Sequence, residues 1–138
     1  MSILNVKEDY ATIQEAVNAA LPGDTILVDC GVYFENVLIS TDALRLEGEC
    51  GAMLDGGFEL DSAFYINGAS NVRISSFEIR RYIKNGITIN GGNTNTVSDC
   101  SITDCIESGI YTECSDSLSV TKTICSGCGD YGISLRNL

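Results

Sequence analysis

The 138-residue chain contains no histidine and no tryptophan, a single proline, and only 8 basic against 19 acidic side chains. Each shortage closes off a class of function. Without histidine, and with no second C-x-x-C, Cys125-x-x-Cys128 is half of a zinc or redox site at most, so core packing is the preferred reading of these thiols. The formal charge of −11 repels phosphate backbones and anionic lipid surfaces, so neither nucleic acid nor membrane is expected as a partner. "RRYIK", from Arg80 to Lys84, is the one basic cluster and reads as a solvated surface strip. Nowhere do about 18 apolar residues run together, and "MSILNVKEDY" lacks an apolar leader core. No signal peptide or transmembrane segment is therefore expected in this chain; it is compatible with the cytoplasm, with the compartment left open. Seven cysteines is an odd number, which excludes a fully paired disulfide framework.

What is present is a core's worth of apolar residues, 44% of the chain against 20% charged, and an internal repeat. "NGITI" from Asn85, "SGIYT" from Ser108 and "YGISL" from Tyr131 begin 23 residues apart, and "SAFYING" from Ser62 falls one period earlier. The columns are Ala63, Gly86, Gly109, Gly132; then Phe64, Ile87, Ile110, Ile133; then Ile74, Val97, Val120; then Ile79, Ile102, Cys125. A period of this length fits a leucine-rich repeat or a right-handed parallel β-helix. The short alternating runs "NVRIS", "GITIN" and "LSVTK", separated by turns rich in Gly, Asn and Ser, decide for the second. In such a coil each strand pairs with the same strand one turn on, so identical residues stack about 4.8 Å apart. The isoleucine column becomes an interior ladder, and the glycine column beside it is expected to supply a tight corner in every turn.

Ahead of the repeats, Thr12 followed by Glu15 forms a capping box, Ile13, Ala16, Val17 and Ala20 lie on one apolar stripe, and Pro22, Gly23 and Asp24 end the helix. The expectation is an all-β chain: one right-handed parallel β-helix domain over 1–138. Residues 1–24 would form a cap whose amphipathic helix covers the open end, and 25–138 about five coils, clearest from 62 onward.

"TIQEAVNAALPGDTILV", "GVYFENVLI" and "LRLEGE" resemble the start of the pectin-lyase-like superfamily of parallel β-helices, and the later units resemble its generic repeats, so the resemblance covers nearly the whole chain. It implies the fold. It does not imply an activity, because that superfamily holds lyases, esterases, hydrolases, epimerases, tailspikes and non-catalytic modules, most of its enzymes acting on polysaccharides. The Asp-Pro-His-Glu signature of its epimerases cannot exist without histidine. The polygalacturonase motifs are missing, and no pectate-lyase-like acidic cluster with its arginine is evident.

Alternation places three rows on the outside of the repeated strand: Asp61, Lys84, Glu107, Asp130; then Tyr65, Thr88, Tyr111, Ser134; then Asn67, Asn90, Glu113, Arg136. Tyr65 and Tyr111, flanked by Asn90, Glu107 and Glu113, form a candidate saccharide platform of aromatic rings and planar polar groups, set against the plainer reading of a solvated sheet face. Glu107 and Asp130 are close enough in this register to be considered as an acid and base pair. Asp99, Asp104 and Asp116 lack EF-hand spacing, and no metal, cofactor or catalytic residue is assigned. The expected function is a non-catalytic module with a structural or self-assembly role and weak glycan binding on the repeated face. The alternative is a small polysaccharide lyase or hydrolase. The run "YGISLRNL" ends on a repeat strand, so a homo-oligomer through the last coil is the expected partner, and a polysaccharide the second.

Overall fold

The structure, a computed structural model, describes residues 2–136. The first turn consists of strand β1 (Ile3–Val6) and helix α1 (Ile13–Ala19). Five further turns supply three strands each: β2 (Thr25–Val28), β3 (Val32–Tyr33) and β4 (Val37–Ile39); β5 (Arg45–Gly48), β6 (Met53–Asp55) and β7 (Phe64–Asn67); β8 (Arg73–Ser75), β9 (Glu78–Arg80) and β10 (Ile87–Asn90); β11 (Thr96–Ser98), β12 (Ser101–Thr103) and β13 (Ser108–Glu113); β14 (Ser119–Thr121), β15 (Ile124–Ser126) and β16 (Tyr131–Arg136). They stack into three parallel sheets in the orders β1-β2-β5-β8-β11-β14, β4-β7-β10-β13-β16 and β3-β6-β9-β12-β15. The result is a parallel β-helix. Its last five turns are the coils read from the repeat, and β1, in register with β2, adds a sixth.

The columns of the sequence are rungs of the structure. Ile87 lies between Phe64 and Ile110, Ile110 also pairs with Ile133, Ile74 meets Val97 and Val97 meets Val120, and Ile102 sits between Ile79 and Cys125. Phe64, Ile87, Ile110, Ile74, Val97 and Ile102 are wholly buried, and Phe64 meets Phe77 edge to face with ring centroids 5.1 Å apart. The 23-residue spacing does not extend to the early turns: Arg45 pairs with Arg73 and Val37 with Phe64 because the segments joining β5 to β6 and β6 to β7 are both longer than their counterparts in the later turns.

The glycine column has a different purpose from the one expected. Gly86 and Gly109 are absent from the left-handed backbone region and make no corner. They are required for space: a Cβ on Gly86 would lie 2.6 Å from Ile102 Cγ2 and 2.7 Å from the Gly109 carbonyl oxygen. The corners fall on four other columns with positive φ, namely Gly68, Gly91, Cys114; Asn71, Thr94, Ser117; Ser76, Asp99, Lys122; and Arg81, Asp104, Gly127. An L-residue there carries about 1–2 kcal/mol of strain. The stack offsets it by giving corner N–H groups a carbonyl on the next turn, as in Asn71 to Asn93 at 3.0 Å, Asp99 to Thr121 at 3.1 Å and Asp104 to Ser126 at 3.1 Å.

Half of the capping box forms, with Glu15 N–H donating to Thr12 Oγ1 at 3.1 Å while the Glu15 carboxylate accepts from the Ala11 N–H at 3.1 Å, and Ile13, Ala16, Val17 and Ala20 are all buried. The helix also closes a strand edge. Gln14 Oε1 accepts the Leu38 N–H at 2.7 Å and its Nε2 donates to the Leu38 carbonyl at 3.1 Å, so one side-chain amide stands in for a neighbouring strand of β4.

"RRYIK" is only in part a solvated strip: Lys84 is exposed and the two arginine side chains are partly so. Asp55, buried at the end of β6, accepts from Arg80 Nε at 3.0 Å and from Arg81 Nη2 at 2.7 Å, while Tyr82 is fully buried and donates its hydroxyl to the Glu35 carbonyl at 2.6 Å. The Arg81 guanidinium, aided by the Gly57 N–H and Arg80, holds the Asp55 carboxyl down at about 2 despite its burial. A carboxylate depressed in the folded state contributes stability above its unfolded value near 3.8, lost as pH falls through about 2. Acid titration of the melting temperature is expected to show a decline between roughly pH 4 and 2 that is reduced in Asp55→Asn. An unchanged acid limb in that variant contradicts the assignment.

Candidate functional site

The outer face of the sheet β4-β7-β10-β13-β16 is built by alternation alone: Phe64, Ile66, Ile87, Ile89 and Ile110 turn inward, so Tyr65, Thr88 and Tyr111 turn outward. Register places Leu38, Tyr65, Thr88, Tyr111 and Ser134 side by side in one row, and Asn67, Asn90, Glu113 and Arg136 in the next. Four of the five sequence candidates are therefore brought onto adjacent strands. Asn90 Nδ2 reaches the Tyr65 hydroxyl at 3.4 Å, and the two tyrosines, half-buried, flank Thr88.

Glu107 stands at the edge of this face, just before β13. The row from Asp61 through Lys84 and Glu107 to Asp130 continues the stack by backbone bonds, Lys84 N–H to Asp61 carbonyl at 3.0 Å, Glu107 N–H to Lys84 carbonyl at 2.8 Å and Asp130 N–H to Glu107 carbonyl at 2.6 Å. Glu107 and Asp130 are both exposed, standing in open water rather than in the enclosed setting that separates the roles of two carboxyls in a glycosidase.

Beneath the platform is a polar cluster that no motif in the sequence marks. Ser62 Oγ and Thr88 Oγ1 lie 2.8 Å apart, Asn85 Nδ2 donates to Thr88 Oγ1 at 3.1 Å, and Asn85 Oδ1 accepts the buried Ser108 N–H at 3.0 Å. This cluster fixes the Thr88 hydroxyl between the two tyrosines. A shallow groove of about 160 Å³ opens beside it, lined by Asn36, Leu38, Asp61, Ser62 and Tyr65. Leu38 escapes a reading by period because its spacing to Tyr65 departs from the repeat; the exposed rings of Phe34 and Phe58 escape it likewise, lying in irregular early turns.

Cys114 directly follows Glu113 at the end of β13, whereas Cys100 and Cys105 are buried. Burial pushes Cys100 up to about 11 and Cys105 up to about 12, and raises Cys125, so these groups remain protonated and weakly reactive at neutral pH. Cys125 packs against the core in the Ile79 and Ile102 column. Among the described residues, no three Cys, Asp or Glu side chains converge as a cation site, and no helix is long and apolar enough to cross a membrane.

A family model described as the right-handed β-helix region matches residues 23–138. The chain is also similar to the crystal structure of a pectin methylesterase mutant in complex with a hexasaccharide, with a TM-score of 0.60 and 16% identity over 92% of this chain. It spans about half of that structure, 53% of its length. At this identity the likeness concerns the fold. A comparison with curated proteins finds no match.

Proposed function

The chain belongs to the right-handed β-helix family, and from that premise we propose that it is a non-catalytic β-helix module with a structural or self-assembly role that binds glycan weakly on its repeated outer face. The observation that carries the reading is the row of Tyr65, Thr88 and Tyr111 beside Asn90 and Glu113, an open, regular platform of rings and planar polar groups. That the similar pectin methylesterase was crystallised with a hexasaccharide adds support at the level of the fold. Tyr111→Ala is expected to weaken oligosaccharide binding about tenfold, the loss of one aromatic stacking contact, while incubation with polysaccharides yields no reducing ends and no unsaturated uronates. Binding unchanged in that variant removes the platform from the proposal, and product formation removes the non-catalytic reading.

The alternative, a small polysaccharide lyase or hydrolase, draws on Glu107 and Asp130 on successive turns. It requires turnover that Glu107→Gln abolishes with the fold intact. Self-association draws on the last described turn, where Ile124, Ile133 and Leu135 are exposed and β14, β15 and β16 each pair on one side among the described residues. A second copy placed across a two-fold axis would cover them. Sedimentation at micromolar concentration gives a dimer if so, and a monomer overturns it.

A further inference from the structure

We propose that Arg45 and Arg73 form a binding site for a small oxyanion, a carboxylate, sulfate or phosphate group, on the outer face of the six-stranded sheet. The two residues are direct partners in the parallel register of β5 and β8, so their side chains leave the sheet about 4.8 Å apart in the same direction. Like charges in directly opposed positions repel. Here they meet in a protein whose net charge is −11, yet neither guanidinium forms an ion pair among the described residues. The acids nearby are otherwise disposed: Asp24 accepts the Ser2 and Leu21 N–H groups, Asp42 accepts the Ser70 N–H, and Glu47, on the same face, pairs with neither arginine.

The arginines stand over a groove of about 350 Å³ whose other polar side chains are Asn71, Thr94 and Thr96. The left-handed corners at Ala43, Asn71 and Thr94 shape its floor, and their N–H groups are engaged by the next turn, leaving the side chains as the donors that face the groove. Two parallel planar forks with hydroxyls and an amide beside them match the lone pairs of one oxyanion, which an ammonium or a neutral sugar would not satisfy. This site is on a different sheet from the tyrosine platform and does not depend on it.

Backbone amide spectra recorded during titration with sodium sulfate, sodium glucuronate and glucose, at ionic strength held constant with sodium chloride, test the proposal. Sulfate and glucuronate are expected to give saturable shifts at residues around Arg45, Arg73 and Thr96, and glucose none. Threonine already occupies this row at Thr25 and Thr96, so the double substitution Arg45→Thr, Arg73→Thr keeps the fold, and it is expected to weaken binding at least tenfold. Lys122→Asn, an exposed cation at the corner between β14 and β15, leaves the affinity within twofold. Tighter binding of sulfate identifies a free oxyanion as the occupant and tighter binding of glucuronate a sugar-borne carboxylate, and either sustains the site. Shifts that do not saturate, a double variant that binds as well as the parent, or an equal loss in Lys122→Asn overturns it.

Discussion

Ile110→Asp unfolds the protein at 25 °C, read as loss of the strand signal in circular dichroism and of dispersion in the amide spectrum. Ile110 is fully buried at the middle of a ladder, hydrogen-bonded through its strand to Ile87 on one side and Ile133 on the other. Burial of such a side chain contributes about 1.5–3 kcal/mol, which the substitution forfeits. The carboxylate then either ionises with no partner inside the coil or takes up a proton and is buried neutral, a further cost of several kcal/mol. Together these approach the whole of a typical domain's stability of about 5–15 kcal/mol. The matching control is Ser98→Asp, on the outer face of β11, expected to stay within about 0.5 kcal/mol of the parent. Thr88→Asp, which the repeat alone marks as an equally silent outer position, is a poorer control because the Thr88 hydroxyl is shared with Ser62 and Asn85. Equal tolerance of Ile110→Asp and Ser98→Asp contradicts the assignment of inside and outside.

Gly86→Ala is expected to cost about 3 kcal/mol in chemical denaturation, the upper end of the range for overpacking a core. The added methyl meets Ile102 Cγ2, which can shift, and the Gly109 carbonyl oxygen, which cannot without breaking the stacking of the next turn. Gly68 provides the contrast. A methyl added there would meet nothing within 4 Å, but its φ is +74°, so Gly68→Ala carries only backbone strain of about 1–2 kcal/mol. A smaller effect at Gly86 than at Gly68 shows that the column serves backbone freedom rather than close approach.

The interior is legible wherever the period stays constant. From Ser62 onward, one side chain per rung repeats at 23 residues, and columns of small and apolar residues translate directly into ladders. Before that point the turns differ in length, and the period places neither Leu38 in the tyrosine row nor Asp55 beside Arg80 and Arg81. The corners elude the sequence for a physical reason. Left-handed backbone suggests glycine, but Thr94, Ser76 and Asp99 adopt it here because hydrogen bonds between turns offset the strain, and nothing in a single residue's chemistry announces that its neighbour one turn away will do so. The platform residues are legible because alternation is local, and their register is inherited from the interior. Arg45 and Arg73, outside the regular period, become neighbours only once the longer early turn is closed.

The Gln14 amide makes the two mouths of the spiral chemically unequal. With the Leu38 N–H and carbonyl already engaged and the α1 helix lying against β4, that edge offers no free template to another strand, whereas β1 and β3 at the same mouth each pair on one side only among the described residues. Strand addition is thereby disfavoured at β4. Replacing Gln14 by an aliphatic residue would leave the Leu38 N–H and carbonyl open to another strand.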